Sequence, residues 1–352
     1  MVTREVALPF LTALILGIGL LTVSSVATAE NVQKQVFGVG LMVAPVAALW
    51  FLGRRGIYSL TFPLYAVSLV LLALVSVIGV EINGNRNWFA LPGFQFQPLE
   101  FGKIALILML ARYLRDPIRS VRDYVPIALI AAPMLALVFA GTGDTGGALV
   151  LLAIIAGMLL VRGMPWKHVL FAAVAIGILI PTVVVPRLKP YQVDRLTIFL
   201  NPDVDPRGKG YQYIQSRIAI GSGGLNGKGY KQGTQSQGGF VPEDHTDFIF
   251  APWAEEQGFV GAALLLVCYG ALFWRVAAIG GECHNSTDRL VIAGVLAMLG
   301  FQVIENIGAA IGVAPLTGLT LPLISYGPSS LLATATALGM VYVIHRDRDD
   351  DF

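Results

Sequence analysis

Residues 62–80 read FPLYAVSLVLLALVSVIGV, nineteen residues without a single charge. A helix of that length covers most of the ~30 Å hydrocarbon core of a bilayer, and a helix is the only open structure that satisfies its own backbone there. Working outward, nine more apolar runs fall near 6–27, 36–52, 98–114, 124–140, 147–161, 168–185, 254–274, 288–312 and 320–344. Two are short, and Gly141 to Gly146 alone separates 124–140 from 147–161, a spacing that also suits a re-entrant pair. The expectation is an all-α polytopic membrane protein of about ten transmembrane helices, one transmembrane domain over 1–352. A large loop, 186–253, lies between helices 7 and 8.

Composition points the same way. The 352 residues are 55% hydrophobic and 13% charged, with a mean hydropathy of +0.71, whereas soluble domains carry about 25% charged residues. A net charge of +2, scattered along the chain, argues against a nucleic-acid partner. Four histidines and two cysteines are too few for a structural zinc cage. Cys268 lies in an apolar run and Cys283 beyond it, so the two are expected to remain thiols. Ala27-Thr28-Ala29 resembles a signal-peptidase site, but the apolar stretch before it is longer than a cleaved signal, and the first helix is expected to be retained.

Orientation follows from the basic residues of the short connections. Arg4, Arg54, Arg55, Arg112, Arg115, Arg119, Arg122, Arg162, Lys167, Arg275, Arg289, Arg346 and Arg348 fall on one side, and Lys34 and Arg86 on the other. Thirteen against two places both termini in the cytoplasm and residues 186–253 outside. That outer segment carries Arg187, Lys189, Arg195, Arg207, Lys209, Arg217, Lys228 and Lys231 and a glycine-rich run from Gly221 to Gly239. Such a backbone cannot lie bare in lipid, so it is solvated or lines a wet cavity. Tyr211 to Ile220 reads as a short amphipathic helix on the membrane surface, with Tyr211, Ile214 and Ile218 on its apolar face.

Four groups of polar residues could carry chemistry. Pro242-Glu243-Asp244-His245-Thr246-Asp247 crowds carboxylates and a histidine where the outer loop meets the next helix, followed by Glu255 and Glu256; preference of anions for a helix amino terminus is the ordinary explanation. Glu100 and Lys103 stand three apart after Gln97-Pro98, as an ion pair or as the lining of a cavity. Asp144 sits in the turn Gly141 to Gly147, where an aspartate commonly bonds its own backbone. Glu305 and Asn306, inside an apolar run, are expected to bond another helix. Pro315, Gly318, Pro322 and Ser325-Tyr326-Gly327-Pro328-Ser329-Ser330 permit a broken helix and a close backbone approach.

Taken in order, Asn201-Pro202, Asp205-Pro206, Gly210-Tyr211-Gln212, Ala219-Ile220-Gly221-Ser222-Gly223-Gly224, Gly227-Lys228-Gly229, Gly233-Thr234-Gln235, Pro242-Glu243 and His245-Thr246-Asp247-Phe248 resemble the SEDS family of bacterial cell-wall synthesis. Phe96-Gln97-Pro98, Glu100, Lys103, Leu321-Pro322 and Ser325-Tyr326-Gly327 extend the likeness over nearly the whole chain, and place it nearer the elongation branch than the division branch. The resemblance implies a peptidoglycan glycosyltransferase that polymerises lipid II outside the bacterial cytoplasmic membrane. It implies as partners lipid II, a polyprenyl-pyrophosphate-linked glycan, membrane lipid and a class B penicillin-binding protein that cross-links the strands. The family's essential aspartate falls on Asp247, its acid and lysine of the fourth helix on Glu100 and Lys103, and its acidic residue of an outer turn on Asp144. Three positions depart from the pattern. Asn87 stands where an arginine is expected, with Arg86 one place earlier; Leu99 replaces a serine; and Pro328 replaces a glycine, which suggests a differently bent last helix.

In that reaction a sugar 4-hydroxyl attacks an anomeric carbon while polyprenyl pyrophosphate leaves. A carboxylate such as Asp247 can accept the proton, although its unperturbed pKa of about 4 makes it a weak base. The leaving group is already stable and needs positive charge rather than a second acid. Lys103, Arg195, Arg207, Lys209, Arg217 and Lys228 are the candidate cations, with His245 and Thr246 as further substrate-binding candidates. A divalent cation held by carboxylates, Asp247 among them, is the alternative source of charge and leaves base and metal-ligand roles open for Asp247. Two other functions stay in play: a lipid II flippase, against which no inverted repeat is seen, and a non-catalytic scaffold for the penicillin-binding protein.

Overall fold

The structure is a computed structural model that describes residues 2–82, 85–91, 94–114, 117–179, 182, 186, 193, 197–208 and 210–348. Each apolar run carries a helix. In chain order these are α1 (Val2–Val26), α2 (Ala29–Leu41), α3 (Val43–Ser59), α4 (Thr61–Ile78), α5 (Pro98–Tyr113), α6 (Val125–Ala136), α7 (Thr145–Val161) and α8 (Trp166–Leu179). After them come α9 (Tyr211–Ser222), α10 (Phe250–Glu282), α11 (Ser286–Ile311) and α12 (Pro328–Arg346). Among the described residues, seven segments are long and apolar enough to cross a membrane: Val6–Val26, Ala29–Ser59, Thr61–Ile78, Val121–Thr142, Phe250–Glu282, Ser286–Ile311 and Pro328–Arg346. α5 and α7, at 16 and 17 residues, and the described 14 residues of α8 fall short of that length.

Three helices form the axis of the bundle. α5 is buried at almost every position from Pro98 to Ala111, and α11 and α12 on most of their surface, the all-round burial of helices with no solvent or lipid face. α7 packs on α11, α4 on α5, α3 on α12, and α1 on α10. The outer helices turn Phe10, Phe51, Phe62, Val77, Leu129, Phe171 and Trp274 outward. So much exposed apolar surface fits hydrocarbon rather than water, and the chain is a multi-pass membrane protein.

Several elements differ from the sequence expectation. Between α4 and α5 the chain forms a three-stranded antiparallel sheet, β1 (Val80–Ile82), β2 (Asn85–Leu91) and β3 (Phe94–Phe96), with Val80 opposite Trp88 and Phe89 opposite Phe96. The run 124–140 ends in a π turn, Leu137–Thr142, that swings through Gly143 into α7. α9 is the expected short helix, but Tyr213, Ser216 and Ala219 are the residues it buries, against α10 and α11, while Ile218 remains exposed. The last helix begins at Pro328, not near 320. Pro328 opens α12 rather than bending it, since the first turn has no use for the missing N–H. Of the outer loop, most of residues 180–196 lies outside the described residues.

Candidate active site

The approach to Asp247 begins at Glu243, whose φ of 51° places a non-glycine residue in the left-handed region. That conformation costs about 1–2 kcal/mol and tends to persist where the surroundings fix it. Here Thr246 N–H and Phe248 N–H both donate to Glu243 O, at 3.2 and 3.1 Å, and close a tight turn that ends one residue before the cap of α10. Asp247 is therefore half-buried in a turn, not a cap of the helix, and its backbone is gripped from behind. Asn306 Nδ2, on α11, donates to Asp247 O at 2.8 Å and to Leu319 O at 2.7 Å. Ser325 Oγ donates to Thr246 O at 2.7 Å, and Tyr326 N–H donates to His245 O at 2.8 Å.

This brings the irregular segment 312–327 over the site. Glu305 accepts from Thr317 N–H at 3.1 Å and also from the Thr317 hydroxyl, so Glu305 and Asn306 bond this segment and the Asp247 turn. Gly318 has a φ of 78°, and a methyl group there would sit 3.6 Å from Asp247 Oδ2.

Across from Asp247 stands Asp144. Its Oδ1 caps α7 by accepting from Gly147 N–H at 2.7 Å, and its Oδ2 accepts from Asn87 Nδ2 at 3.0 Å. Asn87, on β2, thus occupies the place the resemblance gives to an arginine and brings an amide to the acid. Arg86, its neighbour in the strand, pairs with Glu81 at 3.3 Å and is absent from the cavity wall. Leu99, the second departure, packs on Gly147 at the start of α7.

Between these two aspartates lies a cavity of about 590 Å³ lined by Asn31, Lys34, Asn87, Gln97, Asp144, Glu243, Thr246, Asp247, Thr317, Gly318, Tyr326 and Ser329, among others. Of the residues given catalytic or substrate-binding roles in the sequence analysis, Asp144, Thr246 and Asp247 meet here. His245 flanks the cavity, its ring 5.6 Å from that of Tyr326, and a hydrogen bond from its Nδ1 to the Asp244 carboxylate at 3.2 Å holds its pKa above the ordinary histidine value. Glu100 and Lys103 form a buried pair at 2.8 Å inside α5 and do not reach the wall. Lys228 binds Glu255 at 2.7 Å within the glycine-rich loop. Arg207 is exposed, as is Arg217, whose stem runs along Gly312; neither lines the cavity. Arg195 and Lys209 lie outside the described residues.

Among the described residues no three His, Cys, Asp or Glu side chains gather into a metal cage. Asp144, Asp247 and Glu243 are the carboxylates of the cavity. They do not form a dedicated all-protein metal site, so a hard divalent ion bound there would have to be shared with a phosphate. Sequence reasoning missed Lys34, Asn87, Thr317 and Asn306 as parts of this arrangement. Lys34 was visible as one of only two basic residues expected in the outer short connections, and a lone Asn inside an apolar run was the signal for Asn306.

A model of the family FtsW/RodA/SpoVE, described as "Cell cycle protein", matches residues 5–350. The chain is 39% identical over 286 residues to the peptidoglycan glycosyltransferase MrdB of Escherichia coli, covering 81% of this chain and 77% of that one. It is 35% identical over 351 residues to the probable peptidoglycan glycosyltransferase FtsW of Thiomicrospira cyclica, covering 93% and 87%. Among solved structures, one described as "Structural coordination of polymerization and crosslinking by a peptidoglycan synthase complex" contains a chain 46% identical, with 98% of each chain covered and a TM-score of 0.87. The rod shape determining protein RodA of Thermus thermophilus matches at 40% identity, covering 98% and 97%, with a TM-score of 0.75. With the match running from the first helix to the last, the chain belongs to the FtsW/RodA/SpoVE family, the SEDS family that its motifs resemble.

Proposed function

We propose that this chain polymerises lipid II into glycan strands from the cavity between Asp247 and Asp144, as a peptidoglycan glycosyltransferase of cell elongation, with Asp247 as general base. The observation that carries this reading is the carboxylate of Asp247, set by Asn306 and Gly318 at the wall of a cavity large enough for sugar rings. Asp144 is engaged as the cap of α7 and by Asn87, a fixed acid that shapes the cavity. The acceptor hydroxyl presents its proton to Asp247 as its oxygen bonds to the anomeric carbon, and the pyrophosphate leaves with the electron pair of the broken C–O bond. A divalent cation held by Asp247 and shared with the pyrophosphate would add positive charge to that leaving group.

The rest of the reading concerns setting. The count of basic residues supports a cavity on the outer face of the cytoplasmic membrane with both termini inside. A neighbour described as part of a peptidoglycan synthase complex supports a class B penicillin-binding protein as the partner that cross-links the product.

The test is to purify the chain with its partner, supply lipid II and look for glycan polymer. Wild type is expected to make polymer, and Asp247→Asn and Asp247→Ala to lose it by a factor of about 10² to 10⁴, the usual contribution of a positioned base. Polymer from Asp247→Ala at the wild-type rate removes Asp247 from the mechanism. Movement of lipid II between leaflets without polymer would identify a flippase instead.

A further inference from the structure

The reaction proposed above releases a pyrophosphate, and the cavity must meet that charge with a cation. Of the cations nominated by the sequence, those among the described residues do not line the cavity. Lys103 is enclosed with Glu100 in α5, Lys228 is held by Glu255, Ser222 and Thr234, and Arg207 and Arg217 are exposed away from the wall. Among the described residues that line the cavity, the permanent positive charge belongs to Lys34, on α2.

Two features aim Lys34 into the cavity. Gln35, only 1% exposed, donates from Nε2 to Ser325 O at 3.1 Å and accepts at Oε1 from Gly327 N–H at 3.2 Å. These two bonds fix the rotation of α2 against the turn that also holds His245 and Thr246. Asn31, one turn earlier on the same face as Lys34, lines the cavity as well and adds an amide donor beside the ammonium. Lys34 pairs at 2.6 Å with Glu30, whose side chain is 74% exposed and forms no part of the wall. Exposed pairs of this kind are weak, and a multiply charged phosphate in a half-enclosed site outcompetes a single solvated carboxylate.

We propose that Lys34 binds the pyrophosphate of the polyprenyl-linked sugar and stabilises the charge that develops on it as the glycosidic bond forms. The assignment rests on the glycosyl-transfer reading of the cavity. Lys34 makes and breaks no covalent bond. The new C–O bond forms from the acceptor hydroxyl, the anomeric C–O bond to pyrophosphate breaks, the electron pair stays on the pyrophosphate, and the proton goes to Asp247.

The test measures binding of a polyprenyl pyrophosphate, and of the uncharged polyprenol, to the purified full chain as wild type, Lys34→Gln, Lys34→Arg and Glu30→Gln. Lys34→Gln is expected to weaken the pyrophosphate by about tenfold or more while leaving polyprenol unchanged, the loss of one charge-assisted contact. Lys34→Arg should retain most of the affinity, and Glu30→Gln should bind as tightly as wild type or tighter. Equal pyrophosphate affinity for wild type and Lys34→Gln, at equal melting temperature, overturns the assignment, as does a wild type that binds polyprenol and its pyrophosphate alike. Binding needs no turnover, so the outcome is distinct from the polymerisation assay: absence of polymer from wild type defeats the reaction, and an unaltered affinity in Lys34→Gln defeats the cation.

Discussion

Asp247 is legible as a residue but not as a position. The motif from Pro242 to Phe248 marks it, yet what fixes it is a carboxamide 59 residues further on, Asn306, and a loop that closes over it at Gly318. A buried Asn in an apolar helix reads as a bond to a neighbouring helix, because sequence spacing cannot show that a loop will fold back onto it. Lys34 hid in a similar way, since Glu30 and Lys34 four apart look like a solvated surface pair. Gly318 offers a direct test of how tightly Asp247 is held. Gly318→Ala must place a side chain at a φ of 78° beside the carboxylate. A stability loss of about 1–2 kcal/mol is expected, together with a fall of about tenfold in lipid II polymerisation from misplacement of the base. Gly221→Ala, on an open face of α9 with nothing within 4 Å, should match wild type in the same assays.

Among the elements, α10 shows most clearly why the glycine-rich loop has one shape. At Gly258, with φ 67° and ψ −167°, the helix breaks, and two of its own bonds are lost. The freed Phe259 and Val260 N–H groups donate to Gly224 O and Leu225 O at 2.9 and 3.1 Å. The freed Glu255 and Glu256 carbonyls accept from Lys228 and Gly229 N–H at 3.1 and 2.9 Å. The loop thus replaces the missing turn of helix, bond for bond. Glu255, fully buried, then gathers the loop's donors with its carboxylate: Lys228 Nζ at 2.7 Å, Gln235 N–H at 2.9 Å, and Ser236 N–H and hydroxyl at 2.9 and 2.7 Å. Glu255→Ala should strand those donors and cost about 3–5 kcal/mol. The measurement is a lower melting temperature in detergent together with proteolysis between Gly224 and Gly239. Apolar length alone located the ten runs, since burial in lipid writes itself into composition. It missed the three-stranded sheet because strands of three, seven and three residues are too short to alternate visibly. The pairs Asn83-Gly84 and Pro92-Gly93 were the local signal for it.

At the scale of the whole molecule, two polar poles are separated by an apolar waist. One is the cavity. The other is an ionic knot in which Arg54 pairs with Asp288 at 2.9 Å, Asp347 accepts from Arg54 N–H at 2.9 Å, and Arg348 pairs with Glu282 at 2.9 Å, tying α3, α10, α11 and α12 together. In the orientation proposed above, the knot faces the cytoplasm. Cys268 and Cys283 are both buried and give a quiet background for labelling. On intact cells, Gln232→Cys should therefore react with a membrane-impermeant thiol reagent, and Arg122→Cys should stay dark until the membrane is opened. The reverse pattern would put the cavity on the wrong side for a lipid-linked sugar. The order in which the cavity walls are strung along the chain carries a further consequence. Its lining comes from residues 31–34, 85–90, 95–97, 144, 243–247 and 317–330, so the earliest wall waits through nearly three hundred residues of synthesis for the latest. A nascent chain still emerging from the ribosome has half a pocket and no grip on Gln35, and premature termination anywhere before α12 yields an inert membrane anchor rather than an unregulated enzyme.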